Sequence, residues 1–334
     1  MPQFVRGILV LMLGMMSGQA FCSDVTAVAF HPSRAYAYLG RISATQIQYC
    51  LVQPSPIDGL YACVTTGPTS FLMPISLAMH PKGKYLYVVD TTYQSVSRCA
   101  IREGTGQLID CIDAKFTLKG PTGVAVTAQS QAYITHASGV SVCALDGNGF
   151  VMKCRSSGLR VQNLSAPTVA EDGANAYFLS AEGDSIWSCA RDKLSGALNH
   201  CRSRKWHTLS EPSHGLARNI YTTTKNLNHE IFTSSFRISE SGLLSFINLY
   251  PDGSTFRCII SQNTADFSAC FSGGNQQGYA PPLSMIWDKK NNTHLYLLSS
   301  GQIQLMCSMD TDGTVSECTR TDPEKVNPWA EITS

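Results

Sequence analysis

Cysteine is the residue whose type and spacing most plainly promise chemistry in this chain of 334 residues. Thirteen are present. Setting Cys22 aside, the other twelve fall into six pairs: Cys50 and Cys63, Cys99 and Cys111, Cys143 and Cys154, Cys189 and Cys201, Cys258 and Cys270, and Cys307 and Cys318. The two members of a pair are always 11 to 13 residues apart. Two chemistries suit paired thiols, a disulfide or thiolate coordination of a metal. Metal sites draw on closely spaced ligands, yet no Cys-x-x-Cys occurs, and the eight histidines do not stand at ligand spacing from the cysteines. The pairs therefore read as disulfides, each closing a loop of a dozen residues.

Other candidate residues are sparser. No nucleophile motif, phosphate-binding loop or metal spacing is present, so no catalytic residue, metal site or cofactor is assigned. His31 and His80 each precede a proline in a turn, in His31-Pro-Ser33 and His80-Pro-Lys-Gly83, and equivalent turns suggest a turn role. The run Arg202-Ser-Arg-Lys-Trp-His207 mixes bases with aromatics in a way that suits an anion or a polymer, but it reads first as a solvated loop. Asn163-Leu-Ser165 and Asn291-Asn-Thr293 are glycosylation sequons, relevant only in a glycosylating host.

The elements that would position these residues repeat with the cysteines. First cysteines of successive pairs lie 49, 44, 46, 69 and 49 residues apart, a period of 40 to 50 with one exception. Within most units a proline (Pro74, Pro121, Pro167, Pro212, Pro282) opens a short apolar segment, and a tyrosine-centred segment follows, as in Tyr85-Leu-Tyr-Val-Val89 or Ala176-Tyr-Phe-Leu179. A third, alternating segment ends at the first cysteine, and a glycine-bearing turn leads to a fourth segment holding the second. Runs of four to six residues rich in Val, Ile, Tyr and Thr, broken by Gly or Pro, exclude helices and predict four short antiparallel strands per unit. The paired cysteines then face each other across the outer hairpin. Four-stranded units of this length are β-propeller blades, and six of them must stack around an axis to bury both faces of each sheet. The fold class is all-β, a six-bladed propeller with seven blades as the alternative.

The second and third strands, for example Tyr85-Leu-Tyr-Val-Val-Asp-Thr-Thr-Tyr-Gln-Ser-Val-Ser-Arg98, resemble the repeat of YVTN or lactonase-like β-propellers over residues 24 to about 321. The resemblance implies the fold. It leaves function open, since such propellers include lactonases, surface-layer proteins and periplasmic proteins without enzymatic activity. The cysteine at the end of the third strand departs from that pattern and marks a disulfide-bearing variant. His214 and Asp288 fall near the inner strands of units five and six, where lactonase-like enzymes hold polar catalytic groups, but no spacing ties them into a site.

Sequence boundaries place blades at approximately 24–66, 70–114, 118–157, 164–204, 209–273 and 279–321 within a single domain of residues 23–321, followed by a tail, 322–334. Unit five holds about 22 residues more than the others. They are expected to extend a hairpin around Ser241-Gly242, offering Phe232, Phe236, Phe246 and Tyr250 as a binding insertion. Residues 1–22 have the layout of a signal peptide: Arg6, an apolar stretch from Gly7 to Met16, then small and polar residues to Ala20. Cleavage is expected between Ala20 and Asp24, and Phe21 argues against lipidation of Cys22. Export agrees with the cysteine content.

A hydrophobic fraction of 43% with 15% charged residues excludes a disordered chain, and a net charge of +1 gives no general drive toward nucleic acid. The expectation is a secreted or periplasmic monomer that binds a protein or small-molecule ligand on one propeller face, with no membrane span. A lactonase-like hydrolase is the first alternative and an adhesion or display module the second.

Overall fold

The computed structural model describes residues 25–41, 46–52, 60–67, 70–114, 118–169, 173–180, 185–205, 236–238, 243–247, 255–260, 267–274, 284–287, 294–299, 302–309 and 315–320. These form 24 strands in six four-stranded antiparallel sheets, without a helix among the described residues. The first sheet holds β1 (Val25–Phe30), β2 (Tyr36–Arg41), β3 (Ile47–Val52) and β4 (Leu60–Thr66). The second holds β5 (Pro74–Met79), β6 (Tyr85–Asp90), β7 (Ser95–Ile101) and β8 (Leu108–Asp113). The third holds β9 (Pro121–Val126), β10 (Gln131–His136), β11 (Gly139–Leu145) and β12 (Val151–Ser156). The fourth holds β13 (Leu164–Val169), β14 (Asn175–Ser180), β15 (Ser185–Arg191) and β16 (Leu198–Lys205). The fifth is β17 (Phe236–Ile238), β18 (Leu243–Ile247), β19 (Thr255–Ile260) and β20 (Phe267–Gly274). The sixth is β21 (Ser284–Trp287), β22 (His294–Ser299), β23 (Gln302–Met309) and β24 (Val315–Arg320).

In every sheet the strands pair in sequence order, so each unit is a meander. The first strands β1, β5, β9, β13 and β17 neighbour one another in turn, β18 meets β21, and β21 returns to β1, so the six described sheets follow one another around an axis with their first strands innermost. Val25–Phe30 pairs with β2 of its own sheet. Among the described residues the last and first sheets meet by packing, without strand exchange.

Burial follows radius. The second strands β6 and β10 are buried at five of six positions, because both faces are covered by neighbouring sheets. The outer strands β8 and β12 are mostly open. Three apolar clusters fill the gaps between the first four sheets. Tyr38, Leu86 and Cys99 meet between sheets one and two, Tyr87, Ile134 and Cys143 between two and three, and Tyr133, Phe178 and Cys189 between three and four. A lone four-stranded sheet would leave these groups in water, which is why the units stabilise one another.

Disulfides join Cys50 to Cys63, Cys99 to Cys111, Cys143 to Cys154 and Cys189 to Cys201, with Cα atoms 3.9 to 4.1 Å apart. Cys258 and Cys270, and Cys307 and Cys318, are register partners in the same place of sheets five and six. Cys143 and Cys154, 11 residues apart, are also direct register partners. In sheets two and four, where the separation is 12, the ladder shifts register at the cysteines. Asp110 (φ 48°) and His200 (φ 50°) then adopt the left-handed conformation immediately before the second cysteine. A bulge thus absorbs the extra residue and keeps the sulfurs in reach.

In unit five the strands on either side of residues 239–242, β17 and β18, are the inner pair of the fifth sheet, with Phe236 and Phe246 as register partners. Those two residues belong to the body of the blade because β18 must supply the ladder for β19. Phe232 and Tyr250 lie outside the described residues, as do residues 1–24, 206–235 and 321–334.

Candidate functional site

Inner strands set what reaches the axis. β1, β5, β9 and β13 read Val-Thr-Ala-Val-Ala-Phe, Pro-Ile-Ser-Leu-Ala-Met, Pro-Thr-Gly-Val-Ala-Val and Leu-Ser-Ala-Pro-Thr-Val, without a histidine, cysteine or charged residue. Their hydroxyls lace neighbouring blades. Ser76 Oγ accepts from the Val124 N–H at 3.2 Å, and Thr122 Oγ1 donates to the Leu164 carbonyl at 2.6 Å. β17 reads Phe-Arg-Ile. No cluster of three or more His, Cys, Asp or Glu suited to a metal occurs among the described residues. His214 and Asp288 lie outside them.

Three of the described histidines, His31, His80 and His136, share one arrangement. The Nδ1 atom accepts the backbone N–H two residues on, from Ser33 at 3.3 Å, Lys82 at 3.1 Å and Ser138 at 3.4 Å. That N–H can only donate, so Nδ1 must be the unprotonated nitrogen and Nε2 carries the proton. His31 Nε2 donates to the Gly83 carbonyl of the next blade at 3.1 Å, and His136 Nε2 lies 2.9 Å from Ser141 Oγ. In this tautomer His136 donates to Ser141 and cannot take its proton, so the pair is no activated nucleophile. Burial lowers the pKa of all three, with help from the positive charge of Arg34 for His31 and of Lys82 and Lys84 for His80. The turn role expected of His31 and His80 is what the structure shows.

A different residue organises the face that carries the loops between second and third strands and between successive sheets. Asp90 ends β6 and is fully buried. Its Oδ2 accepts the N–H groups of Leu72 at 2.7 Å and Met73 at 3.1 Å, while Oδ1 accepts those of Thr92 at 2.9 Å and Tyr93 at 3.1 Å. With four donors on one carboxylate, little acceptor capacity remains for proton transfer to a ligand. Its work is to tie two loops together. Leu72 and Tyr93, whose backbones are held this way, leave their side chains 44% and 54% exposed. Sequence reasoning missed this pair because Asp90 recurs in no other unit. Three residues past the strand-two tyrosine, Arg41, His136 and Ser180 stand in its place in sheets one, three and four. That difference between otherwise similar units was the available signal.

Blade-to-blade contacts on the opposite face are repetitive. Tyr38, Tyr87 and Tyr133 each donate a hydroxyl to a glycine carbonyl in the outer turn of the next blade: Gly106 at 2.6 Å, Gly149 at 2.6 Å and Gly196 at 2.7 Å. These glycines have φ of 72° to 75°, and a Cβ on Gly149 would come within 2.9 Å of the Tyr87 hydroxyl. Desolvation raises the pKa of each tyrosine, which keeps it a neutral donor. Two arginines seal the same seams. Arg98 is sandwiched between Tyr85 and Phe150 at 4.3 and 4.0 Å, and Arg191 donates from Nε to the Tyr133 hydroxyl at 2.8 Å. The run beginning at Arg202, expected as a loop, is strand β16 as far as Lys205.

A search of protein-family models finds no match. A search of curated sequences likewise finds none. Solved structures do resemble the chain. A periplasmic gluconolactonase of Pseudomonas aeruginosa aligns over 88% of this chain and 84% of its own, at 12% identity and a TM-score of 0.58. A streptogramin B lyase aligns over 90% and 84%, at 12% identity and 0.58. A chain of a nidogen/laminin complex aligns over 85% and 92%, at 12% identity and 0.54. Meander sheets, inner-strand ring and these likenesses agree: the chain has the fold of the lactonase-like β-propellers.

Proposed function

We propose that this protein is an extracytoplasmic binding scaffold, a disulfide-stapled propeller that engages a protein partner through the loop face of blade two. The observation that carries this reading is the Asp90 carboxylate, which orders two loops and holds up Leu72 and Tyr93. An exposed tyrosine and leucine on a rigid backbone lose little conformational freedom on binding, and this is how interface anchors act. An oxidising location is supported by four disulfides and by a leader with signal-peptide layout.

A photo-crosslinking amino acid placed at Tyr93 tests the reading in cells that produce the protein. One discrete adduct, lost when Leu72→Asp is added, is the expected result; diffuse labelling unaffected by that change would refute it. Likeness to a gluconolactonase favours a second reading, hydrolysis of a sugar lactone at the axis. Release of acid from gluconolactone above the spontaneous rate, abolished by His214→Ala or Asp288→Asn, would establish that alternative.

A further inference from the structure

The outer strands run head to tail around the rim. Leu198 N–H, at the start of β16, donates to the carbonyl of Ser157, just past the end of β12, at 2.7 Å. Leu108 N–H, at the start of β8, donates to Thr66 Oγ1 at the end of β4 at 2.8 Å. β12 and β16 therefore form one continuous stretch of rim, and each is the edge strand of its sheet among the described residues.

Charge is distributed unevenly along this belt. β12 reads Val-Met-Lys-Cys-Arg-Ser and β16 reads Leu-Asn-His-Cys-Arg-Ser-Arg-Lys, five bases and no acid. β4 carries no charge and β8 carries Asp110 and Asp113. Lys153, Arg155 and Arg202 are exposed, and Arg155 also reaches across to the Ser195 carbonyl of the next blade, which ties the two blades at this place. Lys153 and Arg155 stand two residues apart, and Arg204 follows Arg202 at the same interval. In a strand that interval is about 6.7 Å, the spacing at which alternate residues of another extended chain repeat.

We infer that the β12–β16 rim is a docking edge for an acidic, extended peptide segment of a partner protein, which adds to the edge as a strand with alternate Asp or Glu opposite the bases. Main-chain pairing supplies the register and the carboxylates supply the choice of partner. Charge on an edge strand also discourages self-association.

Fluorescence anisotropy on the intact oxidised protein measures binding of two labelled decapeptides, one alternating glutamate with threonine and one with the same residues in two blocks. The expected result is that the alternating peptide binds about tenfold tighter, and that Lys153→Glu with Arg155→Glu, or Arg202→Glu with Arg204→Glu, weakens it about tenfold at low salt. The neutral pair Lys153→Gln with Arg155→Gln serves if charge reversal disturbs folding, judged by an unchanged thermal melt. Equal binding of both peptides, indifference to the variants, or no binding would overturn the proposal. So would dextran sulfate displacing the alternating peptide from unaltered protein more effectively than unlabelled peptide does, since that would make the rim a site for polyanions.

Discussion

Single residues in this protein differ in what their removal leaves behind. Asp90→Asn exchanges an acceptor-only carboxylate for a group with two donors, which then face backbone N–H groups already in place. The expected loss is about 2 to 3 kcal/mol, read as a lower Tm, together with faster proteolysis at Leu72 and Tyr93. A melt unchanged from the parent would mean that those loops are held by other contacts. The histidines predict a pH dependence. Their pKa values are lowered by burial, so below the unfolded value of about 6.5 the unfolded chain binds more protons than the folded one. Stability from these sites is complete above that pH and is lost as pH falls through the folded values. Tm should therefore drop between neutral and mildly acidic solution, and His136→Gln should flatten the drop. A Tm constant over that window, or unaffected by the variant, would contradict the neutral tautomer assigned to His136.

At the scale of elements, the seams between blades are hydrogen-bonded as well as apolar. Tyr87→Phe keeps the ring in its cluster but strands the Gly149 carbonyl, at an expected cost of about 1 to 2 kcal/mol. Gly149→Ala should cost at least as much, because φ of 75° disfavours a side chain and the new Cβ would press on Tyr85 and Tyr87. If urea melts show the alanine variant to be the milder of the two, the turn relaxes more readily than its contacts imply. Replacing Cys143 and Cys154 together by serine frees the outer hairpin of blade three, where a chain-entropy account gives about 3 kcal/mol for a loop of this size. Because Cys143 also packs in the apolar cluster between blades two and three, the double variant should loosen that seam. Hydrogen exchange at β12 and at β10 compares local and seam effects directly.

The whole molecule depends on every blade being present. Deleting Asn226 to Asn248 removes β17 and β18, so sheet five loses its inner half and the ring is interrupted. Such a deletion should abolish the cooperative circular-dichroism transition; a melt close to the parent's would show that blade five is dispensable. The same blade departs from the seam pattern. Strand register places Ser245 where sheets one to four have tyrosine, since Leu244 stands opposite Cys258 as Leu86 stands opposite Cys99. In sheet six Tyr296 returns to that position, beside Leu295 opposite Cys307.

Much of this architecture was legible in the residues themselves. A cysteine spacing of 11 to 13 fits only a short hairpin, and strand alternation with glycine-bearing turns leaves little choice but a meander, so blade identity and disulfide pairing follow from local chain geometry. Local patterns also sufficed for His31 and His80, whose turns are made within a few residues. What only the tertiary structure decided are relations between units. The Asp90 carboxylate gathers donors from two separate loops, the tyrosine hydroxyls meet glycines more than sixty residues away, and β12 meets β16 end to end. The inner strands of unit five belong with these relations. Its inner strands are defined by which neighbours they pack against, and a period measured along the chain says nothing about which segment of a long unit occupies the ring.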